Sequence, residues 1–319
     1  MLVLGRRDVE QLLDQDALVE ALAAAMSDVS AGRASVPPRN FARVDDAGLL
    51  AAMPAYLPTQ RVLAAKLVLV FPSNAARGLE THQAVVAVFD SATGVPVALM
   101  DGASLTAVRT AAGSALATRI CARPDAKVLA IIGTGVQARS HARAVPRVRD
   151  ITEIVVAGRT PQKVEAFAAE SGAHVAPTFA EAIEAADIVC CCTHATEPVI
   201  RREWLRAGVH VNAVGFTAGP ELDPAIFADA VVVVESRAAA IGGFPDGAVD
   251  LTTAVTLEHL DVKDICEVGE LVQGLRPGRI DENQITIYRS VGVAVQDAAA
   301  AGLVLEAARK RGVGTEVDL

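Results

Sequence analysis

Apolar residues recur at helical spacing over residues 8–32 and predict one amphipathic helix that ends at a glycine. Residues 36–43 are broken by prolines and read as extended chain. Strand patterns follow over 49–54, 62–71, 84–90 and 96–101, with Ser91-Ala92-Thr93-Gly94 as a hairpin turn. Small residues at helical spacing then predict a helix over 105–120. The texture changes at Arg123-Pro124-Asp125. Beyond it, strands are expected at 128–132, 154–157, 187–193, 209–214 and 230–235, and helices at 137–145, 161–170 and 178–185. Strands apolar along their whole length, joined by helices, indicate a parallel sheet covered on both faces. The expected class is therefore α/β, with a Rossmann-type doubly wound parallel sheet over residues 119–290. A short strand at 285–288 and an Ala-rich helix at 291–310 close the chain. That helix is expected to pack back on the first part, giving a discontinuous α+β domain of residues 1–118 and 291–319.

Composition narrows the functions open to such a fold. Of 319 residues, 52% are hydrophobic and only 3% aromatic, so the core must be aliphatic and closely packed. A net charge of -9 argues against general affinity for nucleic acid or an anionic membrane, both of which need a basic face. Cys121, Cys190, Cys191, Cys192 and Cys266 make neither a metal cage nor a disulfide framework, and no secretory leader precedes them, so a cytoplasmic setting is expected. The adjacent cysteines lie in an apolar strand and read as packing. His141, His174, His194, His210 and His259 lack metal-ligand spacing, and no metal is expected.

The turn Gly133-Thr134-Gly135-Val136-Gln137-Ala138 carries the clearest chemistry. It follows a strand and opens a helix, the context in which a Gly-x-Gly-x-x-Gly/Ala pattern signals a dinucleotide. The first glycine permits the turn, the second lets the backbone approach a pyrophosphate, and Ala138 permits close helix–strand packing. Amides at the helix start meet the phosphates. After the second strand stands Ala157-Gly158-Arg159-Thr160, with no acidic residue to take a ribose 2′-hydroxyl. Arg159 and Thr160 are suited to a 2′-phosphate, which favours NADP(H) over NAD(H), although a surface Arg opening a helix reads the same way. Thr193, Val214 and Gly215, at the ends of later strands, are further cofactor candidates.

Three basic residues stand in apolar or small surroundings: Arg39, Lys66 and Arg109. Each alone also reads as a snorkelling or surface residue, and the sequence does not bring them together. Here the chain resembles the ornithine cyclodeaminase/mu-crystallin family. The resemblance rests on Met53-Pro54-Ala55, Lys66-Leu67-Val68, Asp101-Gly102, Leu105-Thr106-Ala107-Val108-Arg109-Thr110 and the glycine turn. It continues through Ala195-Thr196-Glu197-Pro198, Asn212-Ala213-Val214-Gly215, Glu221-Leu222-Asp223, Glu267-Val268-Gly269-Glu270 and Ser290-Val291-Gly292-Val293-Ala294. It implies that Arg39, Lys66 and Arg109 bind the α-carboxylate of an amino or imino acid. It also implies a homodimer, a substrate-binding and dimerisation role for the first domain, and an active site in the cleft between domains.

One departure bears on the reaction. Cyclodeaminases of the family carry Asp where this chain has Thr217, and Thr cannot serve as a carboxylate base near neutral pH. Members similar to mu-crystallin, which reduce cyclic ketimines, carry a hydroxyl there. Thr81-His82-Gln83-Ala84 resembles the same side of the family, and His82 is either a proton donor or a cap on a strand end. Asp223 reads as a helix cap. Asp297, in the terminal helix next to Gln296, receives no role. The resulting expectation is NADPH-dependent reduction of a pyrroline- or piperideine-2-carboxylate, with Lys66, His82 and Thr217 as the catalytic candidates. Ornithine cyclodeamination, an alanine-type amino-acid dehydrogenase and a non-catalytic NADPH-binding protein stay open as alternatives.

Overall fold

Asp14 interrupts the first apolar stretch. Its carboxylate accepts from the amides of Asp16 and Ala17 and so starts a new helix. The single expected helix is therefore two, Arg6–Leu12 (α1) and Gln15–Ser30 (α2), preceded by a short strand, Leu2–Leu4 (β1). The structure, a computed structural model, describes residues 1–318. Leu319, the last residue of the expected first domain, lies outside them.

Five strands follow: Asn40–Val44 (β2), Gly48–Leu57 (β3), Val62–Val70 (β4), His82–Phe89 (β5) and Pro96–Asp101 (β6). They form a mixed sheet in the order β1-β6-β5-β4-β3-β2, antiparallel except where β1 joins β6. Pro54 does not end β3 as the sequence pattern suggested. It sits between the last β2 pair, at Ala52, and the isolated bridge at Tyr56, where no neighbouring strand asks for its amide. Alternation divides the sheet into two faces. Met53, Lys66 and Val86 pair across one face and are buried. Ala52, Leu67 and Val85 pair across the other, where Leu67 and Val85 are 38% and 39% exposed.

The helix Gly102–Cys121 (α3) leads to the second sheet. Its strands and helices alternate: Val128–Ile132 (β7), Val136–Ala144 (α4), Glu153–Ala157 (β8), Pro161–Ser171 (α5), His174–Val175 (β9), Phe179–Ala185 (α6) and Ile188–Cys191 (β10). His210–Ala213 (β11), Ala230–Val234 (β12), Arg237–Ala240 (α7), Val249–Thr256 (α8), Cys266–Glu267 (β13), Val268–Val272 (α9) and Ile285–Arg289 (β14) complete it. All pairs are parallel, in the order β9-β8-β7-β10-β11-β14-β12-β13. This is the expected doubly wound sheet, with β14 inserted between β11 and β12. Its strands bury aliphatic side chains on both faces, Ile132, Val189 and Val211 on one and Leu129, Val156 and Ile188 on the other. The order reverses between β7 and β10, so the ligand crevice of such a sheet opens at their carboxyl ends.

The chain closes with Ala294–Arg311 (α10) and Thr315–Glu316 (β15), which pairs with β1. α10 packs on α2 and on β3, β4 and β5. Gly302 allows this approach, because a Cβ there would lie 2.7 Å from Val62. Two compact units result, one of residues 1–109 and the chain from Val293 onward, the other of residues 110–292. They part inside α3, where an unbroken helix leaves no change of composition to read.

Candidate active site

In the first unit, β4 carries Lys66 on the buried face and α3 carries Arg109 near the unit's end. One residue of α10 joins them. Asp297 Oδ2 lies 2.8 Å from Lys66 Nζ, and Oδ1 accepts from Arg109 Nε at 3.0 Å. All three side chains are almost fully buried. Gln296 Oε1 accepts from Arg109 Nη1 at 3.0 Å and from the Val293 amide at 3.1 Å, which fixes the guanidinium and starts the helix together. Burial is the largest influence on Lys66 and lowers its pKa from 10.5 to about 8. Asp297 opposes that shift, while Arg109 and Arg39 reinforce it. Burial also works to raise the Asp297 carboxyl, but Arg109 and Lys66 together hold it below the usual range.

The structure thus brings Lys66 and Arg109 to one carboxylate and sets Arg39, half-buried beside β2, close enough to act on Lys66. His82 is placed apart. It starts β5 opposite Val70, whereas Lys66 faces Val86, a separation of about 13 Å along the sheet. Its Nδ1 lies 3.1 Å from Thr81 Oγ1. Asp297 and Gln296 are the residues that sequence reasoning missed. A lone acid in a buried alanine run was the available signal, since such a group requires a cationic partner.

In the second unit, the glycine turn links β7 to α4. Gly133 has φ +112, and a Cβ there would lie 2.6 Å from the Cys192 carbonyl, so only glycine fits. A Cβ on Gly135 would meet nothing within 4 Å. Gly135 is the N-cap of α4 and no side chain caps that end. Arg139 Nη1 donates to the Thr134 carbonyl at 2.7 Å, and Arg139 Nε to Glu170 at 2.7 Å, which holds the turn from behind. Gln137 Oε1 is buried without a hydrogen-bond partner. Open space over a glycine, an uncapped helix start and an orphaned acceptor beside it fit a phosphate-bearing ligand whose own donors and acceptors complete the site. Val136, the first residue of α4, is exposed, as are Arg159 and Thr160 beyond β8.

Thr193 and Gly215, after β10 and β11, are joined by a residue that the sequence marked only as part of a motif. Glu221 is fully buried. Its Oε1 accepts from the Thr193 amide at 3.0 Å and hydroxyl at 2.7 Å, and its Oε2 accepts from the Gly215 amide at 2.8 Å. A Cβ on Gly215 would lie 2.5 Å from that carboxylate, so glycine is required. Arg289, at the end of β14, donates to the Gly215 carbonyl from both terminal nitrogens, at 3.0 and 3.1 Å. Its Nε binds Asp250 at 2.8 Å. Burial works to lower the Arg289 pKa, but Asp250 and Glu221 raise it beyond its ordinary value. Val214 is tied back by its amide to the Cys191 carbonyl. Thr217 donates to the Gly219 carbonyl at 2.8 Å in the same loop.

Other polar groups in this unit are structural. His141 bonds the Gln137 carbonyl and Ser114, and burial lowers its pKa to about 4. His210 bonds Thr286 and Asn212, and burial lowers its pKa to about 3. Burial raises the thiols of Cys190, Cys191 and Cys192, which suits packing and not nucleophilic attack. Asp223 caps its turn by accepting from the Ala225 amide. Among the described residues no cluster of His, Cys, Asp and Glu is placed to hold a metal. No described helix is long and apolar enough to cross a membrane.

Comparison with known proteins adds relatives along the whole chain. A Delta(1)-pyrroline-2-carboxylate reductase of Bacillus cereus (strain ATCC 10987) is 36% identical over 331 aligned positions, covering 100% of both chains. The Thermococcus litoralis Delta(1)-pyrroline-2-carboxylate reductase, solved with NADH and L-proline, superposes with a TM-score of 0.93 at 35% identity, covering 99% of this chain and 100% of that one. An archaeal alanine dehydrogenase dimer with bound NAD has a TM-score of 0.92 at 31% identity, covering 100% and 99%. These structures correct the cofactor expectation: the relatives hold NADH and NAD, not the phosphorylated form. Arg159 is exposed at the start of α5, which agrees with the other reading that the sequence allowed, a surface Arg opening a helix. The model of the ornithine cyclodeaminase/mu-crystallin family matches residues 1–312, and the chain belongs to that family.

Proposed function

We propose that this chain is an NAD(H)-dependent oxidoreductase that reduces a cyclic imino acid of the pyrroline-2-carboxylate or piperideine-2-carboxylate type to the cyclic amino acid. The buried cluster of Lys66, Arg109 and Asp297 carries this reading. Two cations share one carboxylate while a third, Arg39, acts on Lys66, so the cluster holds an excess of positive charge that a substrate carboxylate would balance. The relatives that reduce pyrroline-2-carboxylate support the substrate class.

Each unit contributes its own part. Gly133, Thr134, Gly135, Val136 and Gln137 would receive the pyrophosphate at the start of α4. Arg159 and Thr160 would border the adenosine, and Thr193, Val214 and Gly215 the nicotinamide half. When bound, NADH supplies the hydride that adds to the imine carbon, while a proton on the imine nitrogen completes the secondary amine. Arg39, Lys66 and Arg109 fix the carboxylate and with it the position of the imine carbon. Water delivers the proton, because His82 stands four residues along β5 from the position opposite Lys66. Thr217, a hydroxyl where cyclodeaminases of the family have a carboxylate, supports imine reduction over cyclodeamination. The active form is a homodimer. The apolar outer face around Leu67 and Val85 and the dimeric alanine dehydrogenase relative support that assembly.

The test is to mix the protein with NADH and pyrroline-2-carboxylate and follow loss of reduced nicotinamide. Consumption is expected. No consumption over a panel of cyclic imino acids would overturn the reading. Consumption only with pyruvate and ammonia would favour an amino-acid dehydrogenase, the reading that the alanine dehydrogenase relative supports.

A further inference from the structure

Among the buried acids to which the proposed mechanism gives no task is Glu221. Glu221 lies outside the glycine turn and outside the cationic cluster, yet it binds two of the loops on which the nicotinamide half of the cofactor would rest. In a doubly wound sheet the dinucleotide spans the switch point, with its adenosine over the half that holds β8 and its nicotinamide over the half that holds β10 and β11. Thr193 follows β10 and Gly215 follows β11. Glu221 therefore lies beneath the nicotinamide end. It accepts at both oxygens from three donors, the pattern of an ionised carboxylate.

The charges behind it do not cancel. Arg289 is shared between Asp250 and the Gly215 carbonyl, so the buried group comprises two carboxylates and one guanidinium. A net negative charge remains, fixed and shielded from water, at the end where the nicotinamide ring gains a positive charge on giving up its hydride.

Resting on the reading of the second unit as an NAD(H) site, we infer that Glu221 is a positioning residue. It staples the loops after β10 and β11 and supplies a fixed negative charge that favours the oxidised over the reduced nicotinamide. The geometry accounts for both parts. The staple has three hydrogen bonds and a glycine against which the carboxylate is seated. The charge is buried, so salt and water screen it little.

The experiment measures dissociation constants for NAD+ and NADH, by calorimetry, on the full-length protein and on Glu221→Gln. Wild-type protein that binds neither form would overturn the NAD(H) reading itself. With wild-type binding present, Glu221→Gln is expected to weaken NAD+ by about tenfold more than NADH. An unchanged ratio, whether both affinities fall together or neither falls, would overturn the electrostatic role. Thr193→Val removes one hydrogen bond and keeps the charge. It is expected to weaken both forms severalfold at an unchanged ratio. If Glu221→Gln does not fold, this second variant still decides the staple: unchanged cofactor affinity in Thr193→Val would overturn it.

Discussion

Each unit has one buried cluster of the same kinds of charged group, and the two clusters leave opposite signs in excess. In the first, one carboxylate, Asp297, serves Lys66 and Arg109, with Arg39 acting from the side. In the second, one guanidinium, Arg289, serves Asp250 and stands beside Glu221. A buried ion pair that closed on itself would be weak evidence for anything, because desolvation offsets most of its attraction. The unbalanced cluster is the informative one. On the proposed reading its missing charge matches its ligand: an anion for the first unit, and a nicotinamide that becomes cationic for the second.

The largest effect is expected where the first cluster loses its only anion. Asp297→Ala leaves Lys66 and Arg109 buried without a counter-charge, at a cost of about 3–5 kcal/mol in stability. Reductase kcat/KM should fall by about a hundredfold or more, and thermal melting with a kinetic assay measures both. A variant that keeps wild-type activity would remove Asp297 from the site. Next comes Lys66→Met, which is expected to raise the KM for the imino acid by about 10- to 100-fold with NADH affinity unchanged. Equal loss of both affinities would mean that the two clusters are not separate binding elements.

A pH profile sharpens the comparison further. Lys66 titrates near 8 in the folded protein, against 10.5 for an ordinary Lys. Carboxylate binding needs the cation, so kcat/KM should decline above about pH 8. Between about 8 and 10.5 the unfolded chain holds the extra proton, so this residue's contribution to stability rises with pH over the same window. Activity and that contribution should therefore move in opposite directions, and Lys66→Met should abolish both trends. The smallest effect belongs to Arg159→Ala. An exposed cation that meets no 2′-phosphate should change NADH affinity by less than about 1 kcal/mol, and NADH should be preferred over NADPH in wild type.

Local pattern explains which parts of this were legible. The glycine turn, the β7–α4 context and the apolar parallel strands each sit within a few residues, and periodicity reports them. The break at Asp14 was missed because apolar spacing runs on across it, although the acid itself was a capping signal. Asp297 was missed for a different reason. Its bond to Arg109 spans 188 positions, and nothing within α10 reveals that partner. Glu221 likewise reaches back 28 positions to Thr193. Charge closure across a fold is a tertiary property, and a sequence shows only the orphan half of each pair.

The alanines of α10 have a consequence of their own. Ala298, Ala299, Ala300 and Ala301 are fully buried, and Gly302 lies against Val62. This run works as a spacer, setting how far the helix axis stands from the sheet and so whether Asp297 reaches Lys66. Enlarging one that faces the sheet would lever an acid away from its base without touching either one. The reactivity of the site is therefore tunable from residues that no ligand meets, and variation at those four alanines is where inherited differences in activity would go unnoticed by anyone comparing active-site residues alone.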